Sequence, residues 1–269
     1  MVCWQWKTFD DHSYPYLSGH GYSVSCRYIL NYDGFKINPN AKPEQNNWVF
    51  VHTNHIDDFF YNLNKDASII LFTHNSDYPI NEKHLNYIND PRLIMWFAIN
   101  VEIEHPKLKS IPIGINPPGF PSGDASILTK VVEENNKKQN MFYSNFSVNN
   151  NKKDREHCLS ETKVCLSENK SLEDYLRDIS KSYFCISPKG NGIDCHRTWE
   201  SLYLKTIPIV TKSHIADSHK DMPIIILDDW SDFKNINFNE ELYHKIWNNF
   251  DTTNLHKNNY LTRIISQIP

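Results

Sequence analysis

Glycine is scarce in this 269-residue sequence, at eight positions, and long apolar runs are missing. The longest, 93–101 and 223–227, fall well short of the roughly 20 residues that a membrane-spanning helix requires. The six cysteines (Cys3, Cys26, Cys158, Cys165, Cys185 and Cys195) form no C-x-x-C pair and no zinc-type spacing. Most are therefore expected as free thiols, with Cys185 buried on a strand. The acidic pairs Asp10-Asp11, Asp57-Asp58 and Asp228-Asp229 are not of D-x-D form, which argues against a metal-dependent transferase built on that motif. The opening Met1-Val2-Cys3-Trp4-Gln5-Trp6-Lys7 has no positive segment leading into an apolar run, so a signal peptide is not expected and a soluble, cytoplasmic protein is. An excess of positive charge is also lacking. The net charge of −4, from 32 acidic and 28 basic residues, gives no field that would draw the chain to nucleic acid or an anionic membrane. A phosphate-bearing ligand would have to be held by a local site.

What is present fits a folded globular protein: 39% hydrophobic and 13% aromatic residues. Residues 48–52 and 67–72 are continuously apolar and read as strands buried on both faces, with a helix at 56–64 between them. A short helix at 85–88 and strands at 93–99 and 108–115 follow. Residues 116–123 are loop chemistry, with three prolines and two glycines, and 133–140 is a polar connector. A domain boundary is placed here, giving units 1–130 and 131–269. The second unit restarts the alternation: strand 141–146, helix 152–160, and helix 171–180 capped by Ser171. Strand 183–187, helix 194–204 and strands 207–210 and 224–227 come next, then helical patterns at 240–250 and 260–265. The expected fold is α/β with two Rossmann-like domains and a ligand cleft between them.

Residues 183–210 carry the strongest functional signal. They read as strand, glycine-containing loop, helix and strand, which places a helix N-terminus at the carboxyl edge of a parallel sheet. Gly190 and Gly192 would let the loop backbone approach a phosphate, with Ser187, Lys189 and Asn191 around it. The third glycine of a dinucleotide fingerprint is replaced by Cys195. Arg197 and Glu200 are three apart and share a helix face. A guanidinium suits a diphosphate, and a carboxylate suits a pair of ribose hydroxyls. The competing reading is an ordinary surface ion pair, worth about 0.2–0.5 kcal/mol. Upstream, Asn145 and Ser147 end a strand, and with Arg155 on the next helix they are a second candidate phosphate contact, weighed against a plain turn followed by a surface arginine.

Three stretches together resemble the exostosin-like (family 47 type) glycosyltransferases: Tyr183-Phe184-Cys185-Ile186-Ser187-Pro188-Lys189-Gly190, His196-Arg197-Thr198-Trp199-Glu200-Ser201-Leu202 and Ile207-Pro208-Ile209-Val210. The similarity extends to the family's small soluble bacterial and viral members, of the chlorovirus β-xylosyltransferase type, and its specific part covers about a third of the chain. The resemblance implies a GT-B fold, a UDP-sugar donor with xylose favoured, inversion at the anomeric carbon, no cofactor and no required metal. It also implies diphosphate binding by Arg197 and ribose binding by Glu200. The sequence departs from the family where a glycine usually precedes the second strand: Lys205 or Thr206 stands there.

An inverting transfer needs a base for the acceptor hydroxyl. Asp77, just after the buried strand 67–72, is the candidate, against the alternative that it caps the Tyr78-Pro79 turn. His52, His74 and Asn116 are candidates for the acceptor side, where an oligosaccharide or glycoprotein glycan would bind. His52-x-x-His55 is the one close histidine pair among thirteen histidines, too few ligands for zinc. The different-class alternative is a non-catalytic module that binds nucleotide-sugars or glycans.

Overall fold

The computed structural model describes residues 9–116, 123–248 and 250–268. The opening segment with Cys3 and most of the proline-rich loop (117–122) lie outside the described residues. The chain builds two sheets in sequence. The first has six strands in the order β2-β1-β3-β4-β5-β6. These are β1 (Tyr28–Asn31), β2 (Gly34–Ile37), β3 (Trp48–His52), β4 (Ile69–His74), β5 (Leu93–Ala98) and β6 (Leu108–Ser110). β1 and β2 form an antiparallel hairpin, and every other pairing is parallel. The second sheet is wholly parallel, in the order β10-β9-β8-β7. Its strands are β7 (Asn140–Tyr143), β8 (Ser182–Ile186), β9 (Ile207–Thr211) and β10 (Ile225–Leu227). The architecture is thus mixed α/β with two parallel-rich sheets, compatible with Rossmann-like domains.

Both sheets are covered on both faces, which is why their strands are apolar without alternation. In β3 the side chains of Trp48 and Phe50 point to one core and those of Val49 and Val51 to the other. The first core is closed by α1 (Gly19–Val24) and by the last helix of the chain. The second is closed by Ile56 and Phe60 of α2 (Ile56–Asn62) and Ile88 of α3 (Leu85–Ile88). Around the second sheet, α4 (Ala125–Glu134), α6 (Leu172–Ser180) and α7 (His196–Tyr203) share one core. On the other face lies Cys158 of α5 (Lys152–Thr162), with Trp230 and with Tyr243 of α9 (Glu240–Trp247). A short α8 (His214–Ser218) follows β9, and α10 (Lys257–Ile265) ends the chain.

The two halves are tied together by the chain's own ends. α10 sends Tyr260, Leu261 and Ile264 into the core of the first sheet, beside Leu17 and Tyr22. Lys257 of α10 pairs with Asp11 at 2.6 Å, and Tyr203 of α7 receives the Leu17 amide (2.9 Å) while donating to the Leu255 carbonyl (2.8 Å). The boundary expected between residues 130 and 131 falls inside α4, whose Leu128 and Val131 pack with Leu176, Ile179 and Trp199.

Several expected elements are shorter than their apolar patterns. The strand expected over 108–115 stops at Ser110, because Pro112 has no amide hydrogen and Gly114 turns to φ 66°. A Cβ on Gly114 would sit 2.1 Å from the Leu17 carbonyl oxygen, so the chain there runs against residues 17–18 instead of pairing. The strand expected over 141–146 stops at Tyr143, after which Ser144 hydrogen-bonds to the 165–167 segment. Ser171 caps α6 as expected, accepting from the Asp174 amide at 3.1 Å. Cys185 is buried on β8, and the described cysteines are free thiols. No helix of the described residues is long and apolar enough to cross a membrane.

Candidate functional site

The carboxyl ends of the two sheets meet, and the contact is made by the loop between β8 and α7. Asn100, just after β5 and at φ 53°, accepts the amides of Ile193 (2.9 Å) and Asp194 (3.2 Å) on its side-chain oxygen. Its side-chain nitrogen donates to the Ser76 carbonyl at 3.1 Å. Asp194 in turn accepts the Ile113 amide (2.8 Å), the Trp199 indole N–H (2.7 Å) and the Cys195 amide (2.8 Å). Burial raises the Asp194 carboxyl to about 6 against these three donors. His196 closes the junction with the Gly114 carbonyl at 2.7 Å.

These bonds occupy most of the loop amides that were expected to be free, leaving those of Asn191 and Gly192. The Lys189 amide donates to Asp154, the Gly190 amide to the Gly192 carbonyl, and the amides of residues 193–195 to Asn100 and Asp194. Gly192 is needed for a different reason: a Cβ there would lie 2.7 Å from the Asn100 side chain, so the glycine lets the two halves approach. Asn191 is exposed, the Gly190 carbonyl accepts from Asn151 (3.0 Å), and the Lys189 ammonium reaches the Lys212 carbonyl at 3.1 Å. Ser187 pairs with Thr198 through their hydroxyls at 2.9 Å, beside a cleft between the ends of β8 and β9 where the buried Thr211 hydroxyl has no hydrogen-bond partner.

The positive charge gathers on the other side of α7. Arg155 of α5 and Arg197 of α7 both lie against the ring of Phe146, at 5.4 and 5.6 Å from its centroid. Arg155 is held by carbonyls, Lys189 (2.9 Å) and Ser147, and burial together with the charge of Arg197 lowers its pKa. Nε and Nη1 of Arg197 are sealed from solvent with no hydrogen-bond partner. Glu200 does not satisfy them: it is 4% exposed and accepts from the Tyr175 hydroxyl at 2.7 Å. Burial raises its carboxyl, while the Tyr175 bond and Arg197 oppose that rise. The surface ion pair weighed for Arg197 and Glu200 is therefore not what forms. α7 also begins without a side-chain cap, since Cys195 makes no capping bond. Of the second phosphate group, Ser147 meets Arg155 through its backbone carbonyl and not its hydroxyl. The Asn145 amide is turned to the Glu168 carbonyl at 3.1 Å.

In the first half, the four acceptor-side and catalytic candidates lie along the carboxyl edge of the sheet. Asp77 is exposed on the loop after β4, close enough to His196 for its charge to favour the protonated imidazole. His74 is 2% exposed, bonded to Asn75 (2.9 Å), with Nε2 sealed and without a partner. His52 is buried at the end of β3, and burial lowers the pKa of both histidines to about 4. His74 is thus part of the core wall and not of an open acceptor surface. Asn116 is half-buried at the start of the undescribed loop. His52 and His55 have ring centroids 5.8 Å apart, and among the described residues no group of three or more His, Cys, Asp or Glu is arranged to hold a metal.

Sequence reasoning gave no role to Asn100, Asp194, Phe146 or Tyr175. Nothing in the local pattern flags Asn100, because its partners are about ninety residues away. Lys205 adopts φ 55°, the left-handed conformation open to a glycine, so the turn before β9 is kept with a lysine. No protein-family model matches the chain, and no curated protein matches it.

Proposed function

We propose that the chain is a GT-B sugar transferase that moves a sugar, xylose favoured, from a UDP-sugar to a hydroxyl of a glycan, with inversion. The observation that carries this reading is the pair of guanidiniums on Phe146, neither of which has a carboxylate partner. A buried guanidinium that meets only carbonyls (Arg155) and one with two donors unmet (Arg197) both lack a counter-charge, and a bound dianion would supply it to both. A nucleoside diphosphate supplies that charge, and Arg197 keeps Nε and Nη1 without a hydrogen-bond partner in the protein. In this reading Glu200, one helical turn further on, takes the ribose.

In the proposed reaction the Asp77 carboxylate accepts the proton of the acceptor hydroxyl. The hydroxyl oxygen bonds to the anomeric carbon from the face opposite the diphosphate, and the bond from that carbon to the diphosphate oxygen breaks. The charge that develops on the departing UDP is stabilised by Arg197, Arg155 and the uncapped N-terminus of α7. Titration calorimetry with UDP, ADP and GDP, with and without EDTA, tests the donor class. UDP should bind best and regardless of chelator; no binding by any nucleotide would remove the reading. The exposure of Asp77 favours a second reading, a module that binds nucleotide-sugar or glycan without turnover, and substitution of Asp77 separates the two.

A further inference from the structure

Tyr32, in the two-residue turn between β1 and β2, is 62% exposed yet fixed in place. One side of its ring lies against His52 (centroids 4.1 Å apart) and His55 (5.2 Å). Its hydroxyl oxygen accepts from the Asn54 side chain at 2.9 Å, and the Asn54 oxygen accepts from the Ser76 hydroxyl at 2.6 Å. An exposed aromatic ring normally keeps its freedom; holding one open to solvent by three side chains suggests a surface made to be covered. Beside it, His55 Nε2 is sealed from solvent and has no hydrogen-bond partner.

We infer that Tyr32, His55 and Asn54 form the subsite for one neutral pyranose ring of the acceptor, with Tyr32 as its stacking platform. The inference rests on the proposed transferase reading for the word acceptor, but not for the binding itself. A pyranose offers a face of C–H groups that covers an aromatic ring and a rim of hydroxyls that both donate and accept. The platform matches both: an open ring, held by His55, and the Asn54 amide at its edge. His52 beneath the ring is neutral at pH 7, because burial lowers its pKa to about 4, so it adds no charge. Acidic residues flank the subsite: Asp57 and Asp58 at the start of α2 and Asp77 one residue beyond Ser76, while Asp33 beside Tyr32 is paired with Lys36. That surrounding field disfavours a uronate or sulfated chain and selects a neutral one.

The subsite also has a fixed relation to the donor side. The bonds run from Tyr32 through Asn54 and Ser76 to Asn100, and from Asn100 to the amides of Ile193 and Asp194. Asp77 lies on this path, immediately after Ser76, so a ring held on Tyr32 places the following sugar unit near the candidate base.

The test is saturation-transfer NMR with neutral hexasaccharides (xylohexaose, cellohexaose, maltohexaose and laminarihexaose) and a hexagalacturonate, and UDP titrated separately. At least one neutral hexaose should bind, more tightly than hexagalacturonate. Tyr32→Ala should weaken it by about tenfold or more, the scale of one lost aromatic contact, while Tyr32→Phe stays within about twofold. In the wild type the bound sugar should shield the Tyr32 ring protons, assigned by their change in Tyr32→Phe, which holds even if Tyr32→Ala fails to fold. Absence of neutral-saccharide binding, an unshielded Tyr32 ring or equal binding by Tyr32→Ala would overturn the inference. UDP that fails to bind while the saccharide still depends on Tyr32 would remove the transferase reading and leave this subsite standing.

Discussion

Where β1, β3 and β4 end, the side chains are Tyr32, His52, Asn54, His74, Asn75 and Ser76, uncharged polar groups flanked by Asp33, Asp57, Asp58 and Asp77. Where β7 and β8 end, they are Phe146, Lys189, Asp194 and Arg197, with Arg155 alongside. Both edges belong to parallel strands and face each other across the Asn100–Asp194 junction, yet one edge is built from uncharged hydrogen-bonding groups and the other from cations. The difference points to a division of labour between an anionic ligand in the second half and a hydroxylic one in the first. It also separates the two halves energetically. Arg155 is buried against two carbonyls and Arg197 keeps two donors unmet, whereas Asp77 sits in water and costs nothing to keep.

The largest expected effect comes from Asp77, the candidate base on the first edge. Asp77→Asn should reduce sugar transfer by about 10²–10⁴-fold, the usual contribution of a general base, and leave UDP affinity unchanged. Turnover by Asp77→Asn at the wild-type rate would break the assignment, and a wild type that binds UDP-sugars but transfers none would favour the binding module. On the cationic edge, Arg197→Met should weaken UDP by roughly a hundredfold, from the loss of two charge-assisted bonds. The same substitution should not lower the melting temperature of the unliganded protein, because it removes a buried charge that has no partner. A fall in stability with UDP affinity intact would make Arg197 a structural residue and erase the contrast between the two edges.

The junction itself can be tested through Gly192. Gly192→Ala puts a Cβ 2.7 Å from the Asn100 side chain, so one of the two must move, at about 1–3 kcal/mol in urea unfolding. Adding Asn100→Ala should recover part of that loss, since it frees the space the methyl needs, so the pair should be less than additive. Full additivity would mean that the halves do not touch there in solution.

The same contrast marks what could be read from the residues alone. The strands expected at 48–52, 67–72, 93–99, 183–187 and 207–210 fall on β3, β4, β5, β8 and β9 to within two residues, because strands buried on both faces are apolar throughout. Ser171 was legible because a cap is a local device. The hairpin β1–β2 has a Tyr32-Asp33-Gly34 turn, a local signal that went unused, and α4 has an Asp124 cap before apolar residues at 127, 128, 131 and 132. The α7 residues Arg197 and Glu200 could be singled out because a glycine loop precedes them. What the glycines do could not be, because Gly192 answers to Asn100 and the loop amides to Asp154, Asn100 and Asp194, partners that sequence distance hides. For the same reason Phe146, which gathers the two arginines, looked like one more strand-end aromatic.

The smallest effect is a pH dependence of stability, in which buried histidines and buried carboxylates act with opposite signs. Burial lowers His52 and His74 on the first edge, and His196 and His219 in the second half, to about 4. Unfolded, these histidines take up protons near 6.5, so below that value the unfolded chain binds more protons and stability falls until the folded imidazoles titrate near 4. Asp194 runs the other way: raised to about 6, it binds a proton in the folded protein before the unfolded aspartate does near 3.8, and so gains stability as pH falls through 6. Each group contributes at most about 1.4 kcal/mol per pH unit, and these four histidines, joined by His20 and His256, outweigh the raised carboxyls of Asp194 and Glu200. Urea unfolding should therefore show a modest loss from pH 7 to pH 6 and a steeper one from pH 6 to pH 5. Asp194→Asn should steepen that second step by removing one opposing group, and His74→Asn should flatten it by removing one histidine. Stability that is level or rising over this range would mean the imidazoles are not held neutral, and the uncharged edge of the first sheet would no longer stand against the cationic edge of the second.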